Sequence, residues 1–326
     1  MDFLFVLNNA LGVALSPTTA AYALAAIGIG VHFGYAGLLN FGQAGFMAIG
    51  AYAFGITTLT FGFPFPLAFL SAVVASVVFA LILGIPTLRL RADYLAIVTI
   101  AAAEIVRYIV STTGLSDVTG GASGLSAFAG SFQAMNPLPS GSYGFGPWTY
   151  SRAEFWVFLW GWGLVALATV VVWLLMRSPW GRVVKGIRED EDAVRSLGKN
   201  VYAYKMQALV LGGVFGSLAG VIFILPRAIQ PTNYATTLTF FTWTILLLGG
   251  AATVFGPIIG SMIFWVLLVL TEGVIGGLVR ADIITFISTT QAGQIRFVLL
   301  GLALILLVVF RPQGIFGNKK ELSFNV

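Results

Sequence analysis

Apolar residues run along this chain in blocks, most of them close to twenty residues long. They cover Ala20–Phe33, Gln43–Gly62, Phe65–Gly84, Tyr94–Val110, Phe155–Met176, Met206–Leu225, Leu238–Val254, Pro257–Gly277 and Ile295–Phe310. A helix of about 20 residues crosses the roughly 30 Å hydrocarbon core of a bilayer. A shorter block, Phe3–Leu15, ends at Ser16-Pro17, a pair that stops one helix and starts the next. The pattern predicts an all-α, polytopic helical membrane protein with about nine or ten transmembrane helices. Residues 1–326 read as a single membrane domain. Phe65–Gly84 is expected to end before Pro86.

Two blocks are interrupted by glycine: GYAGLLNFGQAGFMAIGAY (Gly34–Tyr52) and LLLGGAATVFGPIIGSM (Leu246–Met262). Gly42, Gly45, Gly249, Gly250, Gly256 and Gly260 are the candidates for broken or re-entrant helices beside a transport path. Each segment places a Phe-Gly pair between apolar runs, Phe41-Gly42 and Phe255-Gly256, which hints at an internal repeat. Close helix packing with tight turns accounts for the same glycines.

Composition sharpens the membrane reading: 58% of residues are hydrophobic and 9% charged, against about a quarter charged in a soluble domain. The charges are not spread evenly. Of 29 Asp, Glu, Lys and Arg residues, 11 lie between Arg177 and Lys205, and seven of those are basic. The positive-inside rule puts this loop in the cytoplasm. Counting outward, the loop at about 114–151, with no Lys or Arg, is external, and the tail 311–326, with Arg311, Lys319 and Lys320, is cytoplasmic. Arg89 and Arg91 stand at the cytoplasmic foot of Tyr94–Val110. The amino terminus has no basic region before its apolar run and reads as retained structure rather than a cleaved signal.

The 177–205 loop has internal order. Ser178-Pro179 is a helix start, with serine as cap and proline at the first position. Arg182, Lys185 and Arg188 follow at three-residue spacing along one side. Asp190 caps a second short helix whose first turn carries Glu191 and Asp192. Ala193, Val194 and Leu197 form its apolar face, and Gly198 stops it. Such a hairpin suits insertion into a groove on another protein; a solvated linker whose charges only fix topology is the plainer alternative.

Several chemistries are excluded. There is no G-x-x-x-x-G-K-[ST] phosphate loop, so no ATP hydrolysis is expected of this chain, and no catalytic, cofactor or metal site is assigned. With no cysteine and one histidine, thiolate and paired-histidine metal sites cannot form. His32, near a span end, reads as a packing or interfacial side chain rather than a proton relay. Glu104 and Arg107, three apart inside a span, share a helix face. Charges there are costly and face a cavity or the bundle interior, which leaves a structural ion pair and a path-lining pair both open. No basic, aromatic-studded soluble surface exists for nucleic acid. Between Gly114 and Pro147, 18 of 34 residues are Gly, Ser, Thr or Pro, a composition of turns rather than a folded domain. Trp148, Trp156 and Trp180 near span ends fit an aromatic belt.

The chain resembles the permease subunits of ABC importers for branched-chain amino acids. GYAGLLNFGQAGFMAIGAY is similar to the family's amino-terminal signature and LRLRADYLAIVTIAAAEIVR (Leu88–Arg107) to its next block. TGGASGL (Thr119–Leu125) resembles its external element, RSPWGRVVKGIREDEDAVRSLGKNVYAYK its ATPase-contacting loop, and GGAATVFGPIIGSM and FRPQGIFG its carboxy-terminal blocks. Ala92 stands where the family usually has glycine. The resemblance implies a multi-pass subunit of a prokaryotic inner (plasma) membrane, surrounded by lipid. It implies two cytoplasmic ABC ATPase subunits holding ATP and Mg, a second homologous permease and an extracytoplasmic solute-binding protein. Related permeases carry urea and short amides, an alternative substrate class. A self-sufficient secondary transporter or channel would need intramembrane acids or a filter, and neither is evident.

Overall fold

The computed structural model describes residues 3–90, 92–280, 289–311 and 313–317. Asp2, Arg91, Lys319 and Lys320, used above in reading topology, lie outside the described residues.

Helices dominate. α1 (Phe3–Val13) and α2 (Pro17–Ile29) meet at a 45° bend. There the Ser16 side chain accepts the Thr19 N–H and Pro17 opens α2, as that dipeptide predicts. α2 continues as a π-helical turn, Gly30–Tyr35, and the chain then runs without helix to Gln43. α3 (Gln43–Thr60), α4 (Phe65–Thr87) and α5 (Ala92–Ser111) follow. After them come the short α6 (Ser116–Thr119) and α7 (Gly130–Ala134), and a hairpin of β1 (Ser142–Phe145) with β2 (Trp148–Ser151). α8 (Arg152–Arg177) leads to the helical hairpin α9 (Pro179–Glu189) and α10 (Glu191–Ser196). α11 (Val201–Ile224), α12 (Thr236–Gly249), α13 (Gly256–Arg280) and α14 (Thr289–Phe310) complete the bundle.

The centre is α2, α3 and α11. Most of α11 is buried, 72% over its most apolar stretch, and α2 and α11 cross so closely that a Cβ on Gly28 would lie 2.5 Å from the Gly212 carbonyl oxygen. Glycine at such crossings lets backbones touch and gain dispersion contacts that larger residues would forbid. α4 and α8 sit outside, with Leu67, Leu70, Val74, Ile82, Leu167, Val170 and Leu174 exposed. Uncharged faces of this kind suit lipid.

The apolar helices stand where the hydrophobic blocks place them, but fewer are complete spans. Among the described residues five helices are long and apolar enough to cross a membrane, or six if the bent α1–α2 pair counts as one. α12 has only 14 residues, about 21 Å at 1.5 Å per residue. α3 is diluted by Gln43, its glycines and its terminal threonines. The expectation that helix 65–84 stops before Pro86 is also corrected, since α4 runs through Pro86 to Thr87. Pro86 has no N–H for the Ile82 carbonyl, yet the last turn stays closed: Thr87 Oγ1 donates to the Leu83 carbonyl at 2.6 Å and the Leu88 N–H to Gly84.

The 114–151 loop is more ordered than its composition implies. The β-hairpin pairs Tyr143 with Tyr150 and Phe145 with Trp148. The Thr119–Leu125 element is fastened to the α11–α12 connection by reciprocal Leu125–Ile229 backbone bonds of 2.9 and 2.8 Å. The tryptophans do more than line an interface, because Trp148, Trp156 and Trp180 donate to Asn8 O, Phe132 O and Gln207 Oε1.

Candidate functional site

The two helix breaks expected from the glycines both form, and they meet. Residues 36–42 separate the π-turn from α3, and residues 250–255 separate α12 from α13. A Cβ on Gly34 would lie 1.8 Å from the Ala251 carbonyl oxygen, so the breaks touch through backbone.

The first break is held by side chains. Asn40 is fully buried; its Nδ2 donates to His32 Nδ1 at 2.9 Å, its Oδ1 accepts the Gly42 N–H at 2.8 Å, and its carbonyl accepts Trp243 Nε1–H at 3.0 Å. His32 Nε2 lies 3.0 Å from the Leu209 carbonyl. A carbonyl only accepts, so the ring proton is on Nε2 and Nδ1 accepts from Asn40. With both nitrogens engaged and the ring buried, His32 fastens α11 to the break. Thr99 Oγ1 accepts the Phe41 N–H and Thr239 Oγ1 the Ala44 N–H. These bonds replace the helical partners that the break removes.

The second break is held mostly by backbone, with Thr253 Oγ1 donating to the Gly250 carbonyl at 2.8 Å and accepting the Gly256 N–H at 3.0 Å. Gly250 adopts φ +118°. The orphaned carbonyls of Leu248 and Gly249 accept the N–H groups of Ile315 and Phe316 at 3.0 and 3.1 Å, so the FRPQGIFG block closes the end of α12. Gly249 faces the Gly256 carbonyl at 1.8 Å from its absent Cβ, and Gly260 faces the Ile245 carbonyl at 2.2 Å. Gly42 and Gly45 instead abut α5, at Thr99 O and Ala103. Gly42 thus marks a break, whereas Gly45 marks a helix crossing.

The helical hairpin packs on this junction. Its local chemistry follows the sequence: Ser178 accepts the Gly181 N–H, Asp190 accepts the Ala193 N–H at 2.9 Å, and Gly198 has φ +75°. Its faces differ from those expected. Arg182, Lys185 and Arg188, placed along one side of α9 by their spacing, have different surroundings. Arg182 is exposed and Lys185 sits 5.7 Å over the Tyr35 ring, but Arg188 turns inward to donate to the Gly34 carbonyl and to pair with Glu189. Helix α9 carries Arg188 under the first break because Val184 and Ile187, on its other positions, are buried. The apolar set of α10 also splits. Val194 packs back toward Gly186 and is half-buried, while Ala193 and Leu197 point out, Leu197 being 78% exposed. Glu191 is engaged twice, by Arg195 at 2.7 Å and by Lys205.

Away from the hairpin, Arg107 bonds Glu104 through Nε and a terminal nitrogen, both at 2.7 Å. The other Glu104 oxygen accepts the Thr236 Oγ1–H at 2.6 Å and N–H at 3.2 Å. A carboxylate on the first residue of α12 meets the positive end of the helix dipole. The pair therefore joins α5 to α12, with side chains 26% and 21% exposed.

Neither Asn40 nor Trp243 was singled out by motif. Asn40 could have been: it is a polar residue inside the glycine-broken apolar run LLNFGQ.

A family model described as the permease component of branched-chain amino acid transport systems matches residues 13–310. The chain belongs to this family. Over 323 residues this permease is 31% identical to the high-affinity branched-chain amino acid transport system permease protein LivM of Salmonella typhimurium. The alignment covers 93% of this chain and 69% of that protein. A probable branched-chain amino acid permease LivM of Methanocaldococcus jannaschii is 25% identical over 337 residues, covering 91% of each. A shorter match of 107 residues, 30% identical, joins 31% of the chain to an autoinducer 2 import permease, LsrC, of Salmonella paratyphi B. Membership of this family and the apolar helices make the chain a multi-pass protein of the cell membrane.

Proposed function

We propose that this chain is the transmembrane permease subunit of an ATP-driven ABC importer and carries branched-chain amino acids across the membrane. The observation that supports it best is the hairpin's two-sided construction. One side is fixed through Arg188 to Gly34, where the two helix breaks touch. The other presents Leu197 and Ala193 to solvent. An ATPase subunit closing on that outward side would push on the place where α2–α3 and α12–α13 give up helical continuity. Two ATPase subunits supply hydrolysis, with their own ATP and Mg; a second homologous permease completes the path. The hairpin faces the cytoplasm, and the 114–151 loop faces the solute-binding protein outside. This chain contributes the path and no hydrolytic step.

Leu197 is the test. Burying it in a partner groove is worth about 1.5–3 kcal/mol, which is about tenfold to a hundredfold in affinity. Leu197→Ser should leave the permease inserted and abundant, while co-purification of the ATPase subunit and leucine uptake fall together. An undiminished complex would reduce the hairpin to a topological anchor. Normal assembly with uptake of urea but not leucine would overturn the substrate.

A further inference from the structure

Beside the hairpin, on the side of α10 away from Leu197, lies an open cleft of about 710 Å³. Its walls are the α4–α5 turn, α10 and the start of α11, with Arg89, Arg195, Lys199, Tyr202 and Lys205 around it. Four cations thus face two carboxylates, Glu191 and Asp192. Those carboxylates are already taken by Arg195 and Lys205. Among the described residues Lys199 and Arg89 have no carboxylate partner; Arg89 only rests 5.7 Å over the Tyr202 ring. Uncompensated positive charge lining a concave site attracts an anion with several oxygens.

The cleft also borders the apolar end of α4. Its floor includes the buried Leu88 and Val201, and its rim includes Leu90, 43% exposed. Tyr202 Oη donates to the Ile85 carbonyl at 3.3 Å, which sets the rim against the last turn of α4. From there Leu81, Ile82 and Ile85 continue as an exposed apolar stripe. A basic pocket at the end of membrane helices, joined to an apolar strip running into the hydrocarbon, has the layout of a lipid headgroup site.

We propose that this cleft seats the phosphate headgroup of an anionic glycerophospholipid, whose acyl chains lie along Leu81, Ile82 and Ile85. Arg89 and Lys199 hold the phosphate, and Tyr202 lies between headgroup and chain. A soluble phosphate shares the headgroup chemistry but leaves the apolar stripe unused. The inference is independent of the transported substrate.

The test uses the purified full chain in neutral detergent, with native mass spectrometry to read the retained lipid. Phosphatidylglycerol and phosphatidylcholine of identical chains are offered together, with glycerol phosphate as the soluble competitor. Phosphatidylglycerol should be retained at least tenfold over phosphatidylcholine and should resist displacement by glycerol phosphate. Charges near a membrane surface are worth about 1 kcal/mol each, about 25-fold for two, so Arg89→Gln with Lys199→Gln should remove a preference of about tenfold. Arg152→Gln, at the other end of the bundle, should not change it. Equal retention of the two lipids by the unmodified chain would overturn the proposal without reference to any variant. So would an unchanged preference in the double variant, or displacement by glycerol phosphate as potent as by the lipid itself.

Discussion

The two helix breaks begin from the same signal, a Phe-Gly pair opening a helix, and are built in opposite ways. The break at 36–42 is buried and held by side chains from α2, α5 and α12, with Phe41 stacked 4.6 Å from Trp243. The break at 250–255 is held mostly by backbone: a glycine at φ +118°, glycines in mutual contact, and N–H groups of residues 315 and 316, with Thr253 Oγ1 bridging Gly250 and Gly256 from within the break. Its phenylalanine, Phe255, is 61% exposed. A local sequence motif therefore specifies that a helix stops, and the surroundings decide what satisfies the freed polar groups. A side-chain network fixes one geometry, because each bond has one partner at one distance. A backbone seam instead ties the break to a segment distant in sequence, so it depends on that segment's place.

If this contrast is right, Asn40→Leu should do the most damage. It leaves His32 Nδ1 and the Gly42 N–H buried without partners, at about 1–3 kcal/mol each. The purified permease should melt well below the unmodified chain, and a melting point unchanged in detergent would erase the distinction between the breaks. Gly250→Ala comes next. A Cβ at φ +118° is strained by about 1–3 kcal/mol and would lie 2.8 Å from the Gly317 nitrogen. Limited proteolysis should then release the carboxy-terminal segment while the bundle stays folded; loss of the whole bundle would mean that the second break is as rigid as the first. The smallest effects sharpen the comparison. Phe41→Ala should cost about 1–3 kcal/mol through the lost aromatic pair and burial. Phe255→Ala, on an exposed ring, should stay within about 0.5 kcal/mol. Equal melting shifts for the two would contradict the assignment of Phe41 to the core.

What could be read in the sequence was governed by near neighbours along the chain. Ser16-Pro17, Ser178-Pro179, Asp190 and Gly198 mark their helix ends because capping and left-handed turns are chemistry within three or four residues. The Glu104–Arg107 pair was legible for the same reason. The inward turn of Arg188 was not legible, because its partner, the Gly34 carbonyl, is 154 residues away. The splitting of Val194 from Leu197 depends on how α10 folds against α9, which hydrophobic spacing alone does not encode. The continuation of α4 through Pro86 rests on the turn around it staying bonded, through Thr87 Oγ1 to Leu83 and the Leu88 N–H to Gly84, which the proline alone does not signal.

The seam formed by Ile315 and Phe316 on α12 also bears on how the protein is made. The carbonyls of Leu248 and Gly249 have no partner in their own helix, and the segment that satisfies them is synthesised only after α13 and α14. During membrane insertion the lower end of α12 is therefore unfinished until two further helices have entered the bilayer. Quality-control proteases that survey membrane proteins would meet an open α12 in any chain arrested before that point, and a closed one afterwards.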